Sequence, residues 1–199
     1  MGFCFIIGAM EILGKLFGSA NRVKLLRLFL FNPELGLRRQ DIVRRAKIGS
    51  GSLGKELKLL ENIRLVKAGK EGGRSKTWRF NSRFHVAREL KLLLDTEFGQ
   101  HRAEISNRFR GAGQIRLLII AGNLIGDTNG KVDLVIVGDN LRKGIVEQTV
   151  RALEAEAGQE LVYALLDTRD FTYRLAASDK FVRDLLEYPH EKLVNRLKI

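Results

Sequence analysis

Three sets of side chains in this 199-residue sequence are of types that can do chemistry, and two of them have spacings that suit it. The first is cationic. Arg38, Arg39, Arg44 and Arg45 crowd one short segment, and Ser50, Gly51, Ser52, Gly54, Lys55 and Lys58 follow it. Lys70, Arg74 and Lys76 then lie in and beside a glycine-rich stretch. Lysine and arginine neutralise phosphates and release the counterions condensed on a polyanion. Small serines and glycines let a helix backbone approach base edges or phosphates closely. The second set is Gly122, Asn123, Lys131 and Asp133, which offers amides, one ammonium and one carboxylate for holding a nucleotide's phosphates. The third set is Cys4 with His85, His101 and His190. Their spacing fits no metal site, and a single cysteine excludes a disulfide framework. No metal and no cofactor is expected.

The formal net charge is +12, from 35 Lys+Arg against 23 Asp+Glu. It is unevenly placed. Residues 1–110 hold 23 Lys+Arg and 10 Asp+Glu, and residues 111–199 hold 12 and 13. A cationic half joined to a near-neutral half favours a polyanion-binding module attached to a module with another task. The apolar fraction of 45% excludes a disordered chain. No apolar run reaches the 18 or so residues that cross a bilayer, so a cytoplasmic protein without membrane partners is expected.

Those side chains need elements to hold them. Residues 1–17 read as an N-terminal extension, with Met10 as an alternative start. Ser19 is a candidate N-cap for a helix through about Phe31, which Asn32-Pro33 stops. A short helix fits Arg39–Ala46 and buries Ile42 and Val43. A third helix fits Ser50–Asn62, where Leu53, Leu57 and Leu60 recur at helical spacing and turn Ser50, Gly51, Ser52, Gly54, Lys55 and Lys58 to solvent. Two strands, Arg64–Ala68 and Lys76–Phe80, flank a loop rich in glycine, as hairpin tips require. Trp78 packs this hairpin on the core.

The run RRQDIVRRAKIGSGSLGKELKLLENIRLVKAG followed by GRSKTWRF resembles the winged helix-turn-helix of bacterial and archaeal transcription regulators of the ArsR and MarR types, over residues 18–82. The resemblance implies that the third helix enters the major groove of double-stranded DNA and that the wing reaches flanking phosphate or the minor groove. Its DNA-binding residues would then be Arg38, Arg39, Arg44, Arg45, Ser50, Ser52, Lys55, Lys58, Lys70, Arg74 and Lys76.

Residues 83–110 read as one linking helix. Ala87, Leu90, Leu94, Phe98, His101, Ile105 and Phe109 form a near-heptad stripe, interrupted by Gly99. The stripe suits a homodimer seam, and packing against the protein's own domains would produce the same pattern.

Residues 111–199 alternate strands and helices: strand 115–121, strand 131–137, helix 141–157, strand 160–166, helices 168–177 and 179–187, and a closing turn or two over 191–197. The expected fold is therefore α/β with two domains, an N-terminal winged helix, a linking helix and a small C-terminal α/β domain. The order in the C-terminal part resembles the minimal nucleotidyltransferase domain of the DNA polymerase beta superfamily. That family places Gly-Ser after the first strand, Asp-x-Asp on the second and a third carboxylate on a later strand, so that divalent ions activate the attacking hydroxyl. Here Gly122-Asn123 stands for Gly-Ser, Lys131 occupies the first Asp position and only Asp133 remains. Tyr163 falls near the third carboxylate, with Asp167 at the strand's far end. One carboxylate beside a lysine does not hold two Mg²⁺ ions. The domain is therefore expected to be non-catalytic, with Gly122, Asn123, Lys131 and Asp133 as a nucleotide-binding remnant and room for a nucleotide or protein partner.

The function these features point to is a dimeric, sequence-specific DNA-binding transcription regulator that acts as a repressor. Two rivals stay open at this stage. One is an active nucleotidyltransferase acting on protein, RNA or a small molecule. The other is an RNA-binding or antitoxin-like interaction protein.

Overall fold

The computed structural model describes residues 9–71, 75–127 and 129–199. It is a mixed α/β fold that divides into two compact units. The described residues up to Gln100, with Arg151–Gln159, form one unit, and His101–Val150 with Glu160–Ile199 form the other.

In the first unit α1 (Ala9–Leu16) and α2 (Ala20–Phe31) precede a two-residue strand, β1 (Leu37–Arg38). Then come α3 (Arg39–Ala46), α4 (Ser50–Asn62), β2 (Val66–Glu71), β3 (Ser75–Phe80) and α5 (Ala87–Gln100). Ser19 caps α2 as its position suggests, its hydroxyl accepting the Arg22 N–H at 3.2 Å. Apolar residues at helical spacing put Val23, Leu26 and Leu30 of α2 and Leu53, Leu57 and Leu60 of α4 into one core. Trp78 joins the same core from β3. The strands form an antiparallel sheet in the order β1-β3-β2.

Two expectations change here. Residues 9–16 are not a free extension: they form α1, and Leu13 is buried in the core beside the half-buried Phe17. The first eight residues lie outside the described ones. The linking helix expected over 83–110 is broken. α5 ends at Gln100, a short 3₁₀ turn spans Arg102–Glu104, and α6 covers only Ile105–Arg108. The helix-weak Gly99 lies at that break. The first part of the near-heptad stripe, up to Phe98, is used inside the first unit, and Ile105 and Phe109 are buried in the second. Leu94 is fully buried, with Ala87 and Leu90 packed on the core. The buried Arg27 guanidinium donates to the Leu94 carbonyl at 2.9 Å and lies over the Phe98 ring. Leu92 and Leu93 are large hydrophobic side chains that α5 exposes.

The second unit is built on a four-stranded sheet in the order β6-β5-β4-β7. Its strands are β4 (Gln114–Ala121), β5 (Leu134–Asp139), β6 (Tyr163–Asp167) and β7 (His190–Asn195). The β4/β5 and β4/β7 pairs are antiparallel and β5/β6 is parallel, so the sheet is mixed. A 3₁₀ turn, Gly122–Ile125, follows β4 directly. α7 (Lys143–Ala157), α8 (Thr168–Ala176) and α9 (Lys180–Glu187) complete the elements, α7 from Arg151 onward counting with the first unit. Successive residues of β4 face opposite sides of the sheet. Leu117 and Ile119 pack with Phe171 of α8 and Val182 and Leu185 of α9, while Leu118 and Ile120 are buried on the other face. The closing segment is a strand, not the helical turn expected over 191–197. β7 pairs with β4 along Leu117–Ala121, and that long-range partner overrides its local pattern. The second strand also begins later than expected, at Leu134, so Lys131 and Asp133 stand just before it.

Candidate functional site

The cationic residues of the first unit gather on α3, α4 and the sheet. α4 buries its leucine stripe, which leaves Gly51, Gly54, Lys55 and Lys58 on the exposed face. The glycines have no internal reason to be there. A Cβ added to Gly51 or Gly54 would meet no atom within 4 Å. Glycine within a helix costs about 1 kcal/mol relative to alanine, so α4 is less stable than its packing requires. Lys55 and Lys58 are exposed and form no ion pair with any described residue.

Beside the start of α4 lies an open cleft of about 570 Å³, lined by Arg38, Arg39, Gln40, Val43, Ser50, Ser75 and Lys76. Arg39 braces it, donating from Nη2 to the Ser50 carbonyl at 2.6 Å. Two arginines and two hydroxyls around a solvent-open hollow suit an anion, while the third cation there, Lys76, is paired with Glu61.

The other expected contacts have partners within the fold. Ser52 is half-buried, accepts from Asn21 Nδ2 at 3.3 Å and donates to the Gly49 carbonyl at 3.1 Å. It therefore faces α2 and not the exposed face expected for it. Arg44 pairs with Asp41 at 3.2 Å in a solvent-exposed bridge, of the kind that contributes little and exchanges readily. Arg45 is half-buried and engaged within the fold. Lys76 pairs with Glu61 of α4 at 3.1 Å and sits 4.8 Å from the centre of the Trp78 ring. Trp78 donates its indole N–H to the same carboxylate oxygen. That hydrogen bond, reinforced by the Lys76 ammonium, holds the Glu61 carboxyl below its ordinary range against the opposing effect of burial. Glu61 thus ties α4 to the sheet. Lys70 stands opposite Lys76 in the hairpin register, its side chain outside the described ones, and Arg74 lies outside the described residues.

Two cations were not among the sequence candidates. Lys67 of β2 and Arg79 of β3 are exposed and face each other directly across the hairpin. The signal was available, since both are basic residues in strands, but the strand register that sets them side by side is not visible without the fold.

In the second unit Gly122 and Asn123 come together around Asp133, which is 1% exposed. Its Oδ1 accepts the Asn123 N–H at 2.7 Å, and its Oδ2 accepts the Val162 N–H at 2.8 Å. Its own amide donates to the Val162 carbonyl at 2.7 Å, and its carbonyl accepts the Ala121 N–H at 2.8 Å. Gly122 has φ +51, and a Cβ there would fall 2.5 Å from Asp133 Oδ1, so only glycine permits this approach. Asp133 therefore clips the turn after β4 to the residue before β6. Lys131 is directed elsewhere: it is 72% exposed and pairs with Asp184 of α9 at 3.3 Å. Asp167 caps α8, accepting the Arg169 N–H at 2.8 Å. The structure thus brings Gly122, Asn123 and Asp133 together and leaves Lys131 on the surface. Among the described residues no three His, Cys, Asp or Glu side chains form a group able to hold a metal ion, and no helix is long and apolar enough to cross a membrane.

No protein-family model matches the chain, and no curated protein matches it in sequence.

Proposed function

We propose that this protein is a sequence-specific, double-stranded DNA-binding transcription regulator that works as a homodimeric repressor. The first unit would serve as a winged helix-turn-helix, with α3 and α4 as the helix pair and β2–β3 as the wing. The observation that carries the reading is the exposed face of α4. Gly51 and Gly54 weaken the helix for no internal gain, and Lys55 and Lys58 stand beside them without ion-pair partners among the described residues. A helix that must lie against a groove floor has a use for both features, because absent side chains allow close approach and free ammonium groups meet phosphate. The adjoining cleft with Arg38 and Arg39 supports a phosphate contact next to the groove.

The second unit, in this reading, is a nucleotidyltransferase-like domain without catalysis. The support is chemical. A metal-binding carboxylate needs oxygens presented to a cation, and Asp133 has both engaged by backbone amides in a buried position. Asp167 serves as a helix cap, and Tyr163 supplies no carboxylate. The domain would scaffold the DNA-binding unit or receive a nucleotide or protein partner near Gly122 and Asn123.

The test is selection of genomic fragments by the purified full chain, followed by footprinting, with sedimentation to read the oligomer. The expected result is a discrete protected duplex segment with two related half-sites. Equal retention of unrelated fragments, or preference for structured RNA in competition at fixed salt, would overturn it. Transfer of labelled nucleotide in Mg²⁺ or Mn²⁺ would overturn the non-catalytic assignment.

A further inference from the structure

The sheet of the first unit has two faces of different character. Leu37, Val66 and Trp78 are buried in the core. By alternation, their neighbours Arg38, Lys67 and Arg79 belong to the opposite, outer face. The register sets Lys67 directly opposite Arg79, and Arg38 opposite Thr77, one residue pair along the same face. Arg79 leans across towards β1: a Cβ at Gly36 would lie 3.6 Å from its Nη2. Three cations therefore run in a band across all three strands.

Nothing in the described fold neutralises that band. Arg38, Lys67 and Arg79 are exposed and enter no ion pair among the described residues. The single acidic position of the three strands is Glu71, four residues from Lys67 and so about 13 Å along the strand. Like charges directly opposite each other destabilise a hairpin. A chain without use for the pair would be improved by an acid at either position. The band is also continuous with the cleft beside α4, because Arg38 belongs to both.

We propose that the outer face of the β1-β3-β2 sheet is a second contact surface for the sugar–phosphate backbone of the bound duplex, made by Arg38, Arg79 and Lys67. It extends a phosphate track from the α4 cleft over the sheet, away from the hairpin tip. The inference rests on the duplex-DNA reading above and adds a surface to it. The track gives affinity and salt dependence without reading sequence, because its cations meet phosphates and not bases.

The experiment measures binding of the full chain to a 30-base-pair duplex by fluorescence anisotropy over a range of salt. It compares wild type with K67Q/R79Q and with K55Q/K58Q. Each phosphate no longer neutralised by the protein should reduce the slope of log K against log salt by about 0.9. The expected result is a slope shallower by one to two for K67Q/R79Q and at least a tenfold weaker complex at low salt. Unchanged slope and affinity in K67Q/R79Q, with weaker binding by K55Q/K58Q, would overturn the second surface and leave the DNA reading standing. Wild type that does not bind, or unchanged binding in both variants, would overturn both. Tighter binding of wild type to a double-stranded RNA of equal length would replace the proposed partner. A third variant, Lys67→Glu, separates binding from folding, since it turns the repelling pair into an attracting one. It should melt no lower than wild type and bind more weakly, and unaltered binding would count against the proposal.

Discussion

Lys76 and Glu61 form an ion pair of 3.1 Å that joins the central strand of the first sheet to the last turns of α4. The pair changes what Lys76 is for. A lysine at this position invites a phosphate, yet here it is paired from the hairpin to α4, beside the Trp78 indole on the same carboxylate oxygen.

This link has a pH signature. The Glu61 carboxyl is held below its ordinary value of 4.5, first by the Trp78 hydrogen bond and then by Lys76. A carboxyl lowered on folding stabilises the fold above its unfolded pKa and loses that contribution as pH falls through the folded one. The link is therefore complete at neutral pH and fails only below pH 4.5. Trp78 is the sole tryptophan, so its emission reports the event. Emission should change in an acid titration with a midpoint below 4.5, and the change should be absent in Glu61→Ala. A midpoint above the ordinary carboxylate value would refute the assignment. At neutral pH Glu61→Ala should also lower stability by about 1 to 2 kcal/mol, read by denaturant unfolding.

Gly54 offers a separation of stability from binding. Its Cβ position is open space, and its neighbours on α4 are already helical. Gly54→Ala should therefore raise unfolding free energy by about 1 kcal/mol. The added methyl lies on the face proposed to meet the groove. A variant that is more stable and binds duplex DNA several-fold more weakly is the expected outcome. More stable protein with undiminished affinity would show that nothing approaches α4 closely at that point.

Helical periodicity made α2, α3 and α4 legible, because each carries its own core stripe and its own stop signal. Val23, Leu26 and Leu30, then Leu53, Leu57 and Leu60, are local patterns that survive into the fold. What escaped reading depends on partners far along the chain. β1 is two residues long, too short for any alternation, and exists because Leu37 and Arg38 pair with Trp78 and Thr77. β7 resembles an amphipathic turn until β4 claims it. The stripe on α5 was visible, but a stripe states only that a face is covered, and Arg27 and the first core cover it here. The set around Asp133 was legible as composition and not as geometry. Asp133 was identifiable as a carboxylate beside the second strand, while its capture by the Asn123 and Val162 amides needs a partner 29 residues away.

Asp133→Asn tests that capture. The side-chain amide can replace only one of the two acceptor oxygens, so an NH₂ group must face the Asn123 or Val162 N–H. A buried donor set against a donor costs about 1 to 3 kcal/mol. Thermal unfolding should shift down accordingly, while duplex binding at low temperature stays close to wild type. Loss of binding in a protein that still shows native circular dichroism would mean that Asp133 serves the site directly.

Divalent cations give the complementary measurement. A carboxylate site that binds Mg²⁺ in the native state only, filled to a hundred times its dissociation constant, stabilises by about 2.7 kcal/mol. Asp133 has its oxygens on backbone amides and Asp167 has one on the Arg169 amide as the α8 cap. Asp133 is buried with both oxygens engaged, Asp167 keeps one exposed oxygen but belongs to no cluster of three metal-ligating side chains among the described residues, and Lys131 places a positive charge nearby in sequence that is already paired with Asp184. The unfolding temperature should therefore be the same in 10 mM Mg²⁺ as in sodium salt of equal ionic strength. Asp167→Ala should lower stability by about 1 kcal/mol, the ordinary contribution of an N-cap, and Asp167→Ser should recover most of it, since serine also caps. A metal-dependent rise in stability that Asp133→Asn or Asp167→Ala abolishes would identify a working cation site and with it a domain that keeps its chemistry.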